Sequence, residues 1–236
     1  MAAPDRNAPS IYDCAVDVDL LTGMRLAKIA IERGELVVIP TDTVYGVGAN
    51  AFDASAVAAL LAAKGRGRQS PPPVLIPSVK TLPGLATDVP PVAHLLAEAF
   101  WPGALTMILK SQPSLAWDLG ETRGTVALRV PNHSIALALL EETGPLAVSS
   151  ANLTGEPAAT NCQQAADYLG KSVAAYLDAG ASPMGEASTI LDLTALSATN
   201  DDPANVGKLR IVRQGAISAD RIAAVVGNLL EVPAVG

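Results

Sequence analysis

The chain has 236 residues, half of them hydrophobic but only 3% aromatic, and carries a formal net charge of −7. That composition argues against a disordered chain, and the length suits one large domain or two small ones, with a core built from small aliphatic side chains. The acidic balance argues against nonspecific binding of a long polyanion over a broad basic face. Two cysteines and two histidines exclude a disulfide framework and a Cys- or His-rich metal site.

Residues 1–12 read as a flexible N-terminal tail, followed by a domain over 13–217 and a C-terminal helix and tail over 218–236. The first residues have no apolar core of a secretory signal. The longest unbroken apolar run, Ala56 to Ala63, is far shorter than the roughly 20 residues a membrane span needs. These features point to a cytoplasmic protein without a membrane segment. A helix is predicted over 22–33, with Gly34 as its stop, then a buried strand over 35–39 ended by Pro40. Thr41 to Gly48 follows that strand with hydroxyls, one carboxylate and glycines, as either a binding loop or an ordinary strand-exit turn. It lacks the spacing of a Walker A loop or a dinucleotide fingerprint. Asp53 is placed to cap a helix running to about Ala63.

Lys64-Gly65-Arg66-Gly67-Arg68 then sets three cations within five residues of an acidic chain. Such a cluster is either a local anion site, with glycines that let backbone N–H groups approach a phosphate, or a solvated turn. After Pro71-Pro72-Pro73 a short strand is predicted over 74–76, a helix over 91–100 and strands over 105–109 and 125–130. Arg129 lies near the end of that last, otherwise apolar strand. A semi-buried arginine there wants a planar anion, from a ligand carboxylate or from a structural Asp or Glu. A helix over 134–142 and a strand over 146–149 lead into Ser149 to Gly155, where hydroxyls and an amide crowd a ligand loop or a helix-capping turn. A helix at 162–169, strands near 175–177, 188–193 and 209–212, and a helix capped by Ser218 and running to about Leu230 complete the order. Polar residues over 195–207 suggest a loop or lid. Strands and helices interleave throughout, which argues for a single α/β domain with a partly parallel sheet. His94 sits in a helical pattern, His133 follows a proline turn, and no nucleophile triad, G-x-S-x-G elbow or HExxH motif is present.

The stretches PTDTVYGVGANA, KGRGRQSPP, WPGALTMIL, TVALRVP, SSANLTGEPA, STILDL and LRIVRQGAI, in this order and spanning roughly residues 22–230, resemble the YrdC/Sua5 family of threonylcarbamoyl-AMP synthases. The resemblance implies a twisted, open mixed sheet with flanking helices around a large central cavity, in the short form without the extra C-terminal Sua5 domain. It implies condensation of L-threonine, bicarbonate and ATP, with Mg²⁺ accompanying the ATP, to threonylcarbamoyl-AMP and pyrophosphate. The adenylate would serve t6A37 modification of tRNA through a downstream transferase complex. By motif, Thr43, Arg129, Ser150 and Ser188 match positions that hold threonine. Lys64, Arg66, Ser70, Thr125, Asn152, Thr160 and Arg213 match positions that line the nucleotide, with Lys64 and Arg66 as the catalytic pair. Gly67, Ser70, Pro72 and Leu75 depart from the family's usual Pro, Asn, Leu and His, and Leu75 is expected to weaken the threonine site. A YciO-like paralogue without the synthase activity and an RNA-binding or ribosome-associated module are the alternatives on the same fold.

Overall fold

The computed structural model describes residues 9–198 and 207–231. In chain order the elements are β1 (Ile11–Asp13), α1 (Asp17–Glu32), β2 (Val37–Ile39), β3 (Gly46–Asn50), α2 (Ala54–Ala63), β4 (Val74–Leu75), α3 (Leu82–Leu85), α4 (Pro91–Phe100), β5 (Leu105–Lys110), β6 (Thr125–Arg129), α5 (Ser134–Thr143), β7 (Leu146–Ser150), α6 (Cys162–Leu169), β8 (Ala175–Asp178), β9 (Thr189–Asp192), β10 (Arg210–Arg213) and α7 (Ala219–Val226). The ten strands form one mixed sheet in the order β1-β8-β2-β3-β7-β4-β6-β5-β9-β10, so the sheet is open with β1 and β10 at its edges. β1 and β2 run parallel to β8, β4 to β6 and β5 to β9, and the other neighbours are antiparallel.

Helices cover both faces of this sheet. Val37 and Ile39 of β2 pack with Ile31 of α1 and Leu139 of α5. Val38, between them, packs on the other face with Leu60 of α2 and Ala165 of α6. A strand buried on both faces reads as a continuous apolar run, which is why 35–39 stands out in the sequence. A third cluster joins β5 and β6 to α4 and α7. In α4 the helical spacing is plain: Val92, Ala93, Leu96, Ala97 and Phe100 are buried, while His94 and Glu98 face water. Asp53 caps α2 by accepting from the amides of Ser55 and Ala56 at 2.9 and 3.1 Å, as expected.

Several boundaries differ from expectation, and α1 begins at Asp17, five residues before the start predicted at 22. The tail placed over 1–12 enters the sheet at Ile11, because β1 pairs with β8 through Ile11 and Tyr176. Residues 1–8 lie outside the described residues. Part of the segment read as either a binding loop or a strand-exit turn is strand β3, whose Gly46 lies opposite Ile39 of β2 and Ser150 of β7. The last helix ends at Val226, since Gly227 turns into a positive φ of 57° and a 3-10 turn follows. Most of the polar stretch 195–207 lies outside the described residues.

Gly46 brings β3 close to its neighbour. A Cβ there would sit 2.6 Å from Cγ1 of Val148, a branched side chain with little freedom to move. Gly46→Ala is therefore expected to cost about 1–3 kcal/mol by overpacking. Urea denaturation of the variant checks it, and an unchanged midpoint would show that Val148 has room to give.

Candidate functional site

Strand ends from much of the sheet surround one cavity of about 270 Å³. The turn after β2 contributes Thr41 and Thr43, β6 contributes Thr125 and Arg129, β7 ends there in Ser149 and Ser150, and β10 brings Arg213. Arg66 reaches the wall from the segment after α2, and Ser188 from the residue before β9. Leu75, Ile108, Val126, Val148 and Ile190 form an apolar side. Among the described residues, the lining contains three guanidinium groups and no Asp or Glu.

One of the three cations is neutralised. Arg129 Nη2 donates to Asp42 Oδ1 at 2.5 Å, Nη1 to Thr43 Oγ at 2.9 Å and Nε to the Gly103 carbonyl at 2.9 Å. Asp42 Oδ1 also accepts from the amide of Asn132 at 3.0 Å. Burial pulls the Arg129 pKa down and the Asp42 carboxylate pulls it back up, so the guanidinium stays charged. The Arg129 side chain has N–H groups left over for a ligand, since three of its five donors are engaged. The hydroxyls beside it are oriented. Thr41 donates to the Val44 carbonyl at 2.6 Å, so Thr43 is the donor in the 3.0 Å contact between the two threonines and accepts from Arg129.

The other two guanidiniums are uncompensated. Neither Arg66 nor Arg213 forms an ion pair among the described residues. Arg66 makes one long contact, 3.4 Å from Nη1 to Ser149 Oγ. Arg213 donates to the Ser188 carbonyl at 2.7 and 3.1 Å and to its hydroxyl at 3.1 Å, and that hydroxyl also meets Thr106 Oγ at 2.8 Å. Burial first, and the charge of Arg66 second, push the Arg213 pKa down. Two like charges that disfavour each other in a wall without carboxylates form a ready anion site.

Lys64 lies behind the wall and not on it. Its side chain is fully buried, and Nζ donates to the Ser150 carbonyl, to the Asn152 carbonyl at 2.5 Å and to Asn152 Oδ1 at 3.3 Å. Asn152 spends its amide group on the carbonyls of Leu153 and Glu156 at 2.9 and 2.7 Å. The lysine thereby holds the turn after β7 in place. Burial, and then the nearby charge of Arg66, lower its pKa from 10.5 to about 8.

Residues 29–215 match the family described as Telomere recombination, Sua5_yciO_yrdC. The chain belongs to the Sua5/YciO/YrdC family. It is 50% identical over 216 residues to the "Putative threonylcarbamoyl-AMP synthase" of Mycobacterium tuberculosis (strain ATCC 25618 / H37Rv), covering 92% of this chain and 94% of that protein. The threonylcarbamoyl-AMP synthase of Bacillus subtilis (strain 168) is 39% identical over 206 residues, which cover 86% of this chain and 56% of that one. Among solved structures, P. abyssi Sua5 complexed with L-threonine superposes with a TM-score of 0.81 at 33% identity, over 95% of this chain and 62% of that one. E. coli YciO, at 24% identity, shares the fold with a TM-score of 0.72 over 91% of this chain and 98% of that one.

Of the residues matched to the Sua5/YciO/YrdC motifs, Thr43, Arg66, Thr125, Arg129, Ser150, Ser188 and Arg213 meet on the cavity wall. Four do not line it. Lys64 and Asn152 form the buried support just described. Ser70 closes a turn onto the Gly67 carbonyl at 3.2 Å, and Thr160 bonds Gln164 Oε1 at 3.1 Å near the start of α6. Sequence reasoning missed Asp42 as the partner of Arg129, and it missed Thr106 and Thr122. Thr106 was legible as a lone polar residue in an apolar strand; Thr122 carried no signal. His133 sits half-buried at the start of α5, its pKa lowered by burial, outside the cavity lining.

Proposed function

We propose that the cavity makes threonylcarbamoyl-AMP from L-threonine, bicarbonate and ATP, releasing pyrophosphate and water. The observation that carries this reading is a carboxylate-free wall with two uncompensated guanidiniums beside an arginine already fixed among oriented hydroxyls. Arg66 and Arg213 suit the polyphosphate, while the spare donors of Arg129, with Thr43 and Ser188 nearby, suit an amino-acid carboxylate and ammonium. Threonine's amine attacks bicarbonate, and the carbamate oxygen then displaces pyrophosphate from the α-phosphorus. No protein nucleophile is required, so alignment and charge neutralisation supply most of the rate. Mg²⁺ would enter with the nucleotide as part of the substrate, adding to the charge neutralisation that Arg66 and Arg213 supply. The adenylate serves the t6A modification of tRNA through a transferase that receives it.

The test is pyrophosphate release with ATP, Mg²⁺, threonine and bicarbonate, each omitted in turn, with the adenylate mass measured. Release is expected only with all of them present. Arg66→Ala should lower turnover roughly 10²-fold, the usual effect of losing one preorganised charge at a reacting group. Folded protein that releases no pyrophosphate with threonine would point to a paralogue of different activity, and a normal Arg66→Ala rate would remove the phosphate assignment.

A further inference from the structure

Arg66 points into the cavity although, among the described residues, its side chain has a single hydrogen bond, the 3.4 Å one to Ser149. Its aim is set by the backbone on either side. On the N-terminal side the amides of Gly65 and Arg66 bond back to Ala62 and Leu61 of α2 at 2.9 and 2.8 Å. On the C-terminal side the third cation of the cluster, Arg68, does not face the cavity. It forms a two-pronged ion pair with Asp118, Nη1 to Oδ2 at 3.0 Å and Nη2 to Oδ1 at 2.8 Å. Asp118 Oδ1 also accepts from the amide of Gly120 at 3.0 Å, and the Arg68 carbonyl accepts from the amide of Glu121 at 2.8 Å. Gly120 has a φ of 106°, and a Cβ there would lie 2.6 Å from the Arg68 carbonyl oxygen. The glycine is thus needed both for its backbone conformation and for this close approach. The clasped turn continues into Leu119 and Thr122, which line the cavity, and Thr122 accepts from Thr125 Oγ at 2.8 Å.

We propose that Arg68 is a positioning residue: with Asp118 and the 118–122 turn it forms a latch that fixes the segment carrying Arg66 against the cavity wall. The ATP part of this inference rests on the function proposed above; the latch itself does not. A bidentate pair embedded in backbone hydrogen bonds is the kind of surface ion pair that contributes measurably, though its exposure keeps the effect modest.

The experiment uses the full chain with Arg68→Ala, Asp118→Ala and the charge swap Arg68→Asp/Asp118→Arg. Hydrogen exchange by mass spectrometry reads the latch directly, and calorimetry reads Mg–ATP and L-threonine binding separately. Each single variant should speed exchange in peptides covering 65–70 and 118–124, but not in those covering 41–46. Mg–ATP binding should weaken roughly 3–5-fold, the size an exposed pair supports, with threonine binding unchanged and the melting temperature lowered by no more than about 2–4 °C. The swap should recover part of both losses. Unchanged exchange in the singles, equal weakening of threonine binding, or a swap no better than the singles would overturn the latch. A wild type that binds no Mg–ATP would overturn the positioning role together with the synthase reading, and the exchange data would tell that result apart from failure of the latch.

Discussion

Replacing Arg129 with alanine is expected to destabilise the protein by about 3–5 kcal/mol, the cost of leaving a buried charge without its partner. Asp42 is only 3% exposed, and its Oδ2 already has no hydrogen-bond partner among the described residues. Without Arg129, the carboxylate keeps only the amide of Asn132. The loss would also free Thr43 and the Gly103 carbonyl, which come from separate parts of the chain. Urea denaturation measures the change, and a shift under about 1 kcal/mol would show that the pair is not the cavity's anchor. Removing both charges separates the two roles. Arg129→Met with Asp42→Asn should recover much of the stability, because no buried charge is then unpaired, while threonine binding stays lost. Recovery of binding in that double variant would count against Arg129 as the carboxylate's partner.

Lys64→Met should show the opposite pattern, a large loss of activity with little loss of stability. Two effects on stability oppose each other. The carbonyls of Ser150 and Asn152 lose their donor, a penalty of about 1–3 kcal/mol. Against this, the lowered pKa shows that the site disfavours the ammonium, and methionine relieves that strain. The net change should stay within about 1–2 kcal/mol, whereas turnover should fall roughly 10²-fold as the turn after β7 loses its tie. The pH dependence separates these contributions. The unfolded lysine titrates near 10.5 and the folded one near 8, so the unfolded chain holds more protons between those values. The group's contribution to stability is therefore greatest above pH 10.5 and is lost as pH falls through about 8. Activity should run the other way, declining as pH rises through about 8 and the charged donor disappears. The pH–rate profile of Lys64→Met should lack that limb. A wild-type rate that stays flat through pH 9 would mean that the ammonium charge is not what the turn requires.

The residues with a local cause were legible in the sequence. α4 spans 91–100 and α6 spans 162–169, as the helical spacing indicates, and the Asp53 cap is where its side chain suggests. The family motifs located seven residues of the cavity wall, from Thr43 to Arg213, along with four that do not line it. What was not legible depends on partners far away in the chain. The three residues of β1 are too few to show a pattern and become a strand only through β8. The anion that Arg129 holds is Asp42, 87 residues away, and nothing in either segment names the other. The family motifs set Arg68 apart from the other two cations, but nothing in the sequence told Lys64 from Arg66. Lys64 turns inward to a loop, Arg66 to the cavity and Arg68 to Asp118, because each meets a different part of the fold.

The sheet order also dictates a sequence of assembly. Ile11, near the start of the chain, pairs with Tyr176, and Leu105 in β5 pairs with Thr189. β2 likewise takes one neighbour from β8, through Val37 and Ala175. As the chain leaves the ribosome, three early strands therefore wait with open edges for partners made much later, and the cavity cannot close until Arg213 has been synthesised. Truncated products that stop before β8 would carry the apolar edge of β2 uncovered, and such an edge invites pairing with other chains.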